Sequence, residues 1–323
     1  MRSPASEPEL LQAVLNRALG RATGVPVNLQ RLSAGATSSI WSFDLPGRRP
    51  IGHILRIAAP GTNRVPVSVE AAAMQAAREA GVPVPPVLYS TDNTEPFDAP
   101  YMIMERVEGE SIARHILREP EFEPARKAFA SQCGSILGRL SRTGVEAVPG
   151  LQEGGQLELW AEILHHLEVP VPTFEWALRY LERERPAEDP GRRGVVHGDF
   201  RLGNMILGGA GVRAVLDWEL VHVGDPLEDL GWLCARPWRF RGPKPVGGMG
   251  DYDDLLGAYH AECGLEVDRD ELRWWEVFAT LRWGIICLLQ ASRHLNGTDR
   301  SVELATIGRR VAETELDLLD CVP

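Results

Sequence analysis

Residues 195–207 read VVHGDFRLGNMIL, and residues 214–219 read AVLDWE. The pattern is an apolar run, a polar loop, a second apolar run, and a third apolar run that ends on an acid. It predicts short strands joined by a loop. Long amphipathic segments flank this unit on both sides. A small β-structure embedded in helices places its loop at a cleft, where reactive residues commonly lie.

The polar residues of this stretch fit transfer of a phosphoryl group from ATP. That reaction needs a carboxylate beside the acceptor hydroxyl, oxygen ligands for Mg²⁺, and a cation for the γ-phosphate. Asp199 is the predicted catalytic carboxylate, and Asn204 and Asp217 are the predicted Mg²⁺ ligands. Arg201 is predicted to balance charge on the γ-phosphate. The expected cofactors are therefore ATP and Mg²⁺.

Each of these residues also has a structural interpretation. His197 could be a core histidine in a simple turn, Asn204 a turn residue, and Asp217 a cap. Their occurrence together in one short stretch favours the catalytic interpretation.

Strand-like segments separated by turns dominate the chain before residue 107. They cover residues 27–33, 38–45, 51–57, 87–90 and 101–107. One alanine-rich helix, residues 67–80, interrupts them and ends at Gly81, with Pro83 just beyond. The order of strand, strand, strand, helix, strand, strand predicts an antiparallel sheet with one helix.

Helical spacing of apolar residues dominates the chain after Gly109. The predicted helices include residues 129–140, 157–167, 174–185, 252–263, 269–295 and 302–319. The chain is therefore predicted to be an α+β protein of two lobes. Residues 1–106 would form the N-terminal, nucleotide-binding lobe, and residues 107–323 the mainly helical lobe that carries catalysis and the acceptor.

The overall composition disfavours several classes of protein. The 323 residues carry 34 Lys and Arg against 45 Asp and Glu, and the net charge of −11 disfavours binding to nucleic acid. The most apolar stretch, residues 277–291, is shorter than a membrane span and contains Arg282, so no membrane association is expected. The N-terminus lacks a signal-peptide pattern. Five scattered cysteines without a paired motif favour a reducing cytoplasm. Oligomeric state is not predicted.

The compound motif H-G-D-x-x-x-x-N, followed by L-D-W-E, resembles the aminoglycoside phosphotransferase, or choline-kinase-like, enzyme family. The details L-G-N-M and L-D-W-E-L look closest to the branch found fused to acyl-CoA dehydrogenases. The resemblance implies a protein-kinase-like two-lobed fold. It also implies that His197 braces the loop, and that Asp217 corresponds to the acid of the kinase D-F-G motif. Whether Glu219 contacts a metal is left open.

The same resemblance assigns nucleotide contacts in the first lobe. Residues 32–39, LSAGATSS, resemble the loop that closes over ATP phosphates, although with one glycine a plain hairpin is the alternative. Its expected contacts are Ser33, Gly35, Thr37 and Ser38.

Arg56 stands where the family has a lysine on the third strand. It is expected to contact the α- or β-phosphate and to pair with Glu70. A surface ion pair on adjacent elements is the alternative.

Residues 101–109, YMIMERVEG, resemble the strand and hinge that join the lobes, with adenine contacts expected at Glu105 and Val107. Residues 224–230, GDPLEDL, match the family's G-D-P-x-x-D-L segment. Asp225 and Asp229 are expected either to hold the catalytic loop or to cap a helix.

Two further features stand out. Residues 236–244, RPWRFRGPK, form a basic segment in an acidic protein. Two interpretations of this segment are left open: it contacts an anionic acceptor, or it is a solvated loop. The aromatic cluster of Trp274, Trp275, Phe278 and Trp283 is interpreted as core packing.

The leading hypothesis is an ATP-dependent phosphotransferase. It would move the γ-phosphoryl group of ATP to a hydroxyl of a small molecule, such as a metabolite, a hydroxyacyl compound or an antibiotic, with Asp199 as the base. The alternative is a catalytically inactive nucleotide-binding regulatory protein of the same fold. Its support is the substituted lysine and the sparse glycine loop.

Overall fold

The structure, a computed structural model, describes residues 8–20, 24–32, 38–46, 51–58, 65–154, 157–187 and 189–322. Within those ranges, no helix combines the length and the apolar character needed to span a bilayer.

A five-stranded antiparallel sheet forms the first part of the fold. Its strands are β1 Val27–Arg31, β2 Ser38–Leu45, β3 Ile51–Ala58, β4 Val87–Thr91 and β5 Tyr101–Glu105, in the spatial order β1-β2-β3-β5-β4. Helix α1 spans Pro8–Leu19, and α2, Val67–Glu79, connects β3 to β4. The predicted order of strands and helix is confirmed.

Alternation along the strands divides the two faces of this sheet, because successive side chains point to opposite sides. Leu55 and Ile57 of β3 pack in one cluster with Leu11 of α1. Ala58 lies in a different cluster with α2, and Arg56 is on the same side of the strand as Ala58. The pleat therefore directs the Arg56 side chain towards α2.

The helical part confirms most of the predicted helices. Its helices are α3 Ala113–Arg118, α4 Glu123–Ser141, α5 Leu157–His166, α6 Pro172–Arg183, α7 Leu227–Cys234, α8 Tyr252–Cys263, α9 Arg269–Leu295, α10 Val302–Gly308 and α11 Val311–Cys321. The prediction of a single helix over residues 302–319 is wrong. The backbone N–H groups of Arg309 and Arg310 donate to carbonyls three residues earlier, which makes a tight turn between α10 and α11. Both helices pack on α9.

Four short strands sit among these helices. β6, Gly194–Val196, pairs with β9, His222–Gly224, and β7, Met205–Gly208, pairs with β8, Gly211–Val215. Leu207 of β7 also bridges to Glu110, which follows β5. The strand-loop-strand unit predicted from the sequence is thereby confirmed, and it lies beside the connection from the five-stranded sheet.

The aromatic cluster on α9 is core, as predicted. Trp274 and Phe278 are buried against α5, α6 and α11, and the Trp274 indole N–H donates to the Leu181 carbonyl at 2.9 Å. Trp283 packs partly buried against Trp238. This packing fixes the long helix α9, which contacts the loop between β6 and β7 through Arg282.

Candidate active site

The loop between β6 and β7 is shaped by Gly198 and braced by His197. Gly198 has φ +81°, and a Cβ there would meet the Leu220 carbonyl oxygen at 2.5 Å, so the turn requires glycine. The Asp199 backbone N–H donates to His197 Nδ1 at 3.1 Å. The ring proton is therefore on Nε2, which donates to the Leu216 carbonyl at 3.0 Å. His197 holds both ends of the site, as expected.

Burial lowers the pKa of His197 from 6.5 to about 4. Between these values the unfolded chain binds a proton that the folded chain does not, so this residue's contribution to stability is lost as pH falls below 6.5. His197→Gln is expected to be destabilised at pH 7. The difference in free energy of unfolding between the variant and the parent should narrow by about 2 kcal/mol at pH 5. At that pH only the parent is destabilised by a histidine that its folded state keeps unprotonated. Urea unfolding at both pH values measures this, and a gap independent of pH would contradict it.

Asp225 and Asp229, which follow β9, each take one of the two predicted roles: one caps a helix and the other holds the loop. Asp229 Oδ2 and Oδ1 accept the backbone N–H groups of His197 at 2.7 Å and Gly198 at 3.0 Å, so Asp229 holds the predicted catalytic loop between β6 and β7. Asp225 Oδ1 accepts the Leu227 N–H at 2.9 Å, at the first turn of α7. Burial, with the nearby charge of Glu228, raises the pKa of Asp229 to about 7.

Arg282 of α9 is a buried cation that supports the same loop. Its Nη2 donates to the Gly198 carbonyl at 2.8 Å and its Nη1 to Glu228 Oε1 at 2.6 Å. The guanidinium also lies over the rings of Trp232 and Trp160, at 4.5 and 5.2 Å from their centroids. The sequence analysis did not predict this role, although Arg282 is the single charged residue in the apolar stretch 277–291 and was a usable signal.

Asp199 sits at the centre of a hydrogen-bonded group. Its Oδ1 accepts Arg201 Nε at 2.9 Å and the indole N–H of Trp232 at 2.7 Å. Its Oδ2 accepts Asn204 Nδ2, which also reaches the Asp199 carbonyl at 3.0 Å. Arg201 lies over the Trp238 ring at 4.6 Å. The arrangement brings three of the predicted residues together, whereas the Trp232 contact was not foreseen.

Asp217 joins this group from the end of the following strand. Its backbone has φ +66°, and the Leu216 N–H donates to the Asn204 carbonyl at 2.8 Å, which ties the two segments together. Burial, followed by the charges of Glu219 and Asp199, raises the pKa of Asp217 to about 7. A carboxylate whose ionised form is disfavoured by neighbouring negative charges is stabilised when a cation binds beside it.

The oxygen atoms of this group are of the kind that Mg²⁺ binds. In the described part of the chain, no three His, Cys, Asp or Glu side chains are grouped so as to hold a metal ion by themselves. A Mg²⁺ ion that arrives with ATP takes other ligands from phosphate and water, so one carboxylate and one amide oxygen suffice. Because Asn204 uses its amide nitrogen on Asp199, its amide oxygen remains for such an ion. Asn204 and Asp217 therefore fit Mg²⁺.

Arg56 makes the predicted pair with Glu70. Both side chains are buried, so the alternative of a surface ion pair is wrong. Arg56 Nη1 donates to Ser38 Oγ at 3.3 Å and lies 3.9 Å from Glu219 Oε2. The guanidinium thus connects β2, α2 and the segment that follows Asp217. Of the predicted phosphate loop, Ser33, Gly35 and Thr37 lie outside the described residues.

The two predicted adenine contacts differ in their backbone groups. Glu105 donates its N–H to the Pro86 carbonyl at 3.0 Å, and Arg106 donates to Gly52 at 2.8 Å. Val107 has no backbone hydrogen bond to any described residue. Of the two, Val107 therefore keeps an N–H that a nucleotide base can use.

The basic segment after α7 is largely engaged within the protein. Arg236 pairs with Asp320 at 2.6 Å and Asp317 at 3.6 Å, both on α11. Arg239 donates to the Cys234 carbonyl at 2.8 Å and lies 3.4 Å from Glu276. These contacts favour a structural role for both arginines. The hypothesis of an anionic acceptor in this segment is left without their support.

The chain is similar in sequence to several known proteins. A family model described as the phosphotransferase enzyme family matches residues 28–275. Acyl-CoA dehydrogenase family member 10 of Mus musculus is 29% identical over 241 residues, 70% of this chain and 22% of that protein. Family member 11 of Homo sapiens is 28% identical over 74% of the chain and 33% of its own length. The chain thus spans between a fifth and about a third of these relatives. Hygromycin-B 4-O-kinase of Escherichia coli is 26% identical, with 72% of this chain and 69% of that protein covered.

Solved structures show the same fold. A candidate aminoglycoside phosphotransferase from Ralstonia eutropha JMP134 has a TM-score of 0.77 at 22% identity, with 97% of each chain covered. A thermostable mutant of aminoglycoside phosphotransferase APH(4)-Ia, in ternary complex with ADP and hygromycin B, has a TM-score of 0.63 at 18% identity, again with 97% of each chain covered. The kinase-like architecture predicted from the sequence, and the resemblance on which it rested, are both confirmed.

Proposed function

Because the chain belongs to the phosphotransferase enzyme family, we propose that it transfers the γ-phosphoryl group of ATP to a hydroxyl of a small molecule. The observation that supports this most directly is the convergence on Asp199. The side chains of Asn204 and Arg201 both bind its carboxylate, and the charge of Asp199 is among the causes that raise the pKa of Asp217. In this proposal, ATP lies between residues 1–106 and residues 107–323.

In the proposed reaction, Asp199 orients the acceptor hydroxyl and takes its proton as the oxygen bonds to the γ-phosphorus. The bond from that phosphorus to the β-phosphate oxygen breaks, and ADP leaves. Asn204 and Asp217 would hold Mg²⁺, which supplies charge neutralisation at the β- and γ-phosphates. Arg201 can turn from Asp199 towards the γ-phosphate as negative charge develops there. Positioning and electrostatics, rather than covalent catalysis, carry the rate.

Arg56 would fill the role of the family's lysine at the α- and β-phosphates. Arg56→Met is expected to raise KM for ATP about tenfold, which corresponds to one charge-assisted hydrogen bond of roughly 1.4 kcal/mol. Arg56→Lys, which keeps the charge and can still reach Glu70, is the matched control and should stay within about threefold of the parent. Initial rates over a range of ATP concentrations measure both. Equal KM values in Arg56→Met and the parent would refute this role.

The acceptor is proposed only as a class: a metabolite, a hydroxyacyl compound or an antibiotic with a free hydroxyl. An aminoglycoside is a polycation and needs an acidic pocket, whereas an acyl compound needs apolar surface. The proposal includes a reducing cytoplasm, in keeping with five free cysteines. It does not include nucleic acid as a partner.

The deciding experiment combines binding and turnover in the purified protein. Thermal unfolding with ATP, GTP and ADP, each with Mg²⁺, tests nucleotide binding, because a ligand that binds only the folded state raises Tm. ADP release with a panel of hydroxylated acceptors, followed by product mass, tests transfer, and EDTA is the control. Nucleotide binding without transfer to any acceptor or to water would favour the inactive regulatory alternative. A Tm unchanged by any nucleotide would contradict both functions.

A further inference from the structure

Trp232, on α7, touches the predicted catalytic carboxylate directly. The residue is 2% exposed, and its indole N–H donates to Asp199 Oδ1 at 2.7 Å. The second donor to this oxygen is Arg201 Nε. Arg201 is part-exposed and is expected to turn to phosphate during the reaction, whereas the indole is enclosed. Trp232 is therefore the donor to Oδ1 that persists through the reaction.

The indole is itself packed against two further side chains. The Arg282 guanidinium lies 4.5 Å from its ring centroid, and the Trp238 ring lies 5.2 Å away. Arg282 also donates to the Gly198 carbonyl, so one buried cation steadies both the indole and the loop. A side chain packed in this way has little rotamer freedom, which is the condition for holding a partner in one geometry.

Trp232 also shares a helix face with Asp229, three residues earlier on α7. Asp229 accepts the backbone N–H groups of His197 and Gly198, and Trp232 donates to the side chain that follows them. The same face of one short helix therefore grips the catalytic loop at its backbone and at its carboxylate.

We propose that Trp232 is a positioning residue for Asp199: its indole N–H fixes Oδ1 and so presents Oδ2 to the acceptor hydroxyl. This inference rests on the proposed phosphotransferase function. A phenylalanine at this position would keep most of the apolar packing but would donate no hydrogen bond, so the carboxylate could rotate away from the acceptor. The loss should appear in the chemical step rather than in nucleotide binding.

The kinetic test compares Trp232→Phe with Trp274→Phe. Trp274 is the matched control, because it is also buried and also donates one indole hydrogen bond, but to the Leu181 carbonyl in the helical core. Trp232→Phe is expected to lower kcat about 10- to 100-fold in Mg²⁺-dependent ATP turnover with KM for ATP unchanged, as loss of an orienting partner does elsewhere. Trp274→Phe should leave kcat and KM unchanged. A Trp232→Phe enzyme with parental kcat would overturn the proposal.

A double variant separates positioning from general damage. If Trp232 acts through Asp199, adding Trp232→Phe to Asp199→Asn should slow turnover no further. Both substitutions then remove the same function, which is a carboxylate held in position. A further loss of the size seen in the parent background would overturn the proposal, since it would mean that the indole acts by another route.

A spectroscopic test needs no turnover and so stands apart from the proposed function. In protein labelled with ¹⁵N-tryptophan, Trp232→Phe identifies the Trp232 indole N–H signal by its absence. Asp199→Asn should move that proton upfield, because a neutral amide oxygen is a weaker acceptor than a carboxylate, while the Trp274 signal stays in place. An unmoved Trp232 signal would overturn the contact. A shifted signal in a protein that transfers no phosphate to any acceptor would sink the proposed function and leave the contact established.

Discussion

Asp199→Asn is expected to lower kcat for phosphoryl transfer by roughly 100- to 10,000-fold, the range over which a positioned general base contributes. Asparagine has nearly the same shape and keeps an oxygen for the Trp232 indole, so the pocket should persist. Its amide cannot take a proton. Its NH₂ group would also face Asn204 Nδ2, a donor that now binds the carboxylate. Steady-state ADP release with the identified acceptor measures the loss.

Nucleotide binding should survive this change, because the contacts proposed for the phosphates and adenine come from other residues. The Tm increase produced by ATP should therefore match that of the parent. Asp251→Asn is the matched control, since Asp251 makes an exposed ion pair with Lys244. It should leave kcat unchanged. If Asp199→Asn retained kcat within threefold of the parent, the proposed base would be wrong and another group would have to take the proton.

The catalytic loop could be predicted from the sequence because its chemistry is local. Asp199 and Asn204 are five residues apart and bind each other directly. The sheet could be predicted for the same reason. The alternation along β3, which buries Leu55 and Ile57 on one side, is a property of consecutive residues. The pair of Arg56 and Glu70 was predicted from the family resemblance, and the pleat explains it, because it directs the arginine to the helix that comes next.

The supports of the loop could not be predicted in this way. Trp232 reaches Asp199 across 33 residues of sequence, and Arg282 reaches Gly198 across 84. No periodicity links such positions, since only the folding of α7 and α9 onto the loop brings them together. The basic segment was misleading for the same reason, because the acids that engage Arg236 lie on the last helix, more than eighty residues away. Charge composition indicates cations but not their partners.

Three buried ionisable side chains, His222, Glu228 and Arg282, form a chain of ion pairs behind the loop. Glu228 lies between His222 Nε2 at 3.1 Å and Arg282 Nη1 at 2.6 Å. Although burial raises it, the two cationic partners hold the pKa of Glu228 below its ordinary value. Arg282 is 3% exposed. A carboxylate that is kept ionised in the core depends on its cation, because water cannot replace it.

Arg282→Met is therefore expected to lower the free energy of unfolding by about 3–5 kcal/mol, the cost of breaking a buried ion pair from one side. Methionine fills similar volume, so the loss would reflect a Glu228 that keeps His222 but has lost its guanidinium partner, and the released Gly198 carbonyl, rather than a cavity. Arg236→Met is the matched control, because that pair is part-exposed and should cost less than about 1 kcal/mol. Urea unfolding with equal m-values measures both. If the two variants lost equal stability, Arg282 would be a packing residue, and the position of the loop would not depend on its ion pair with Glu228.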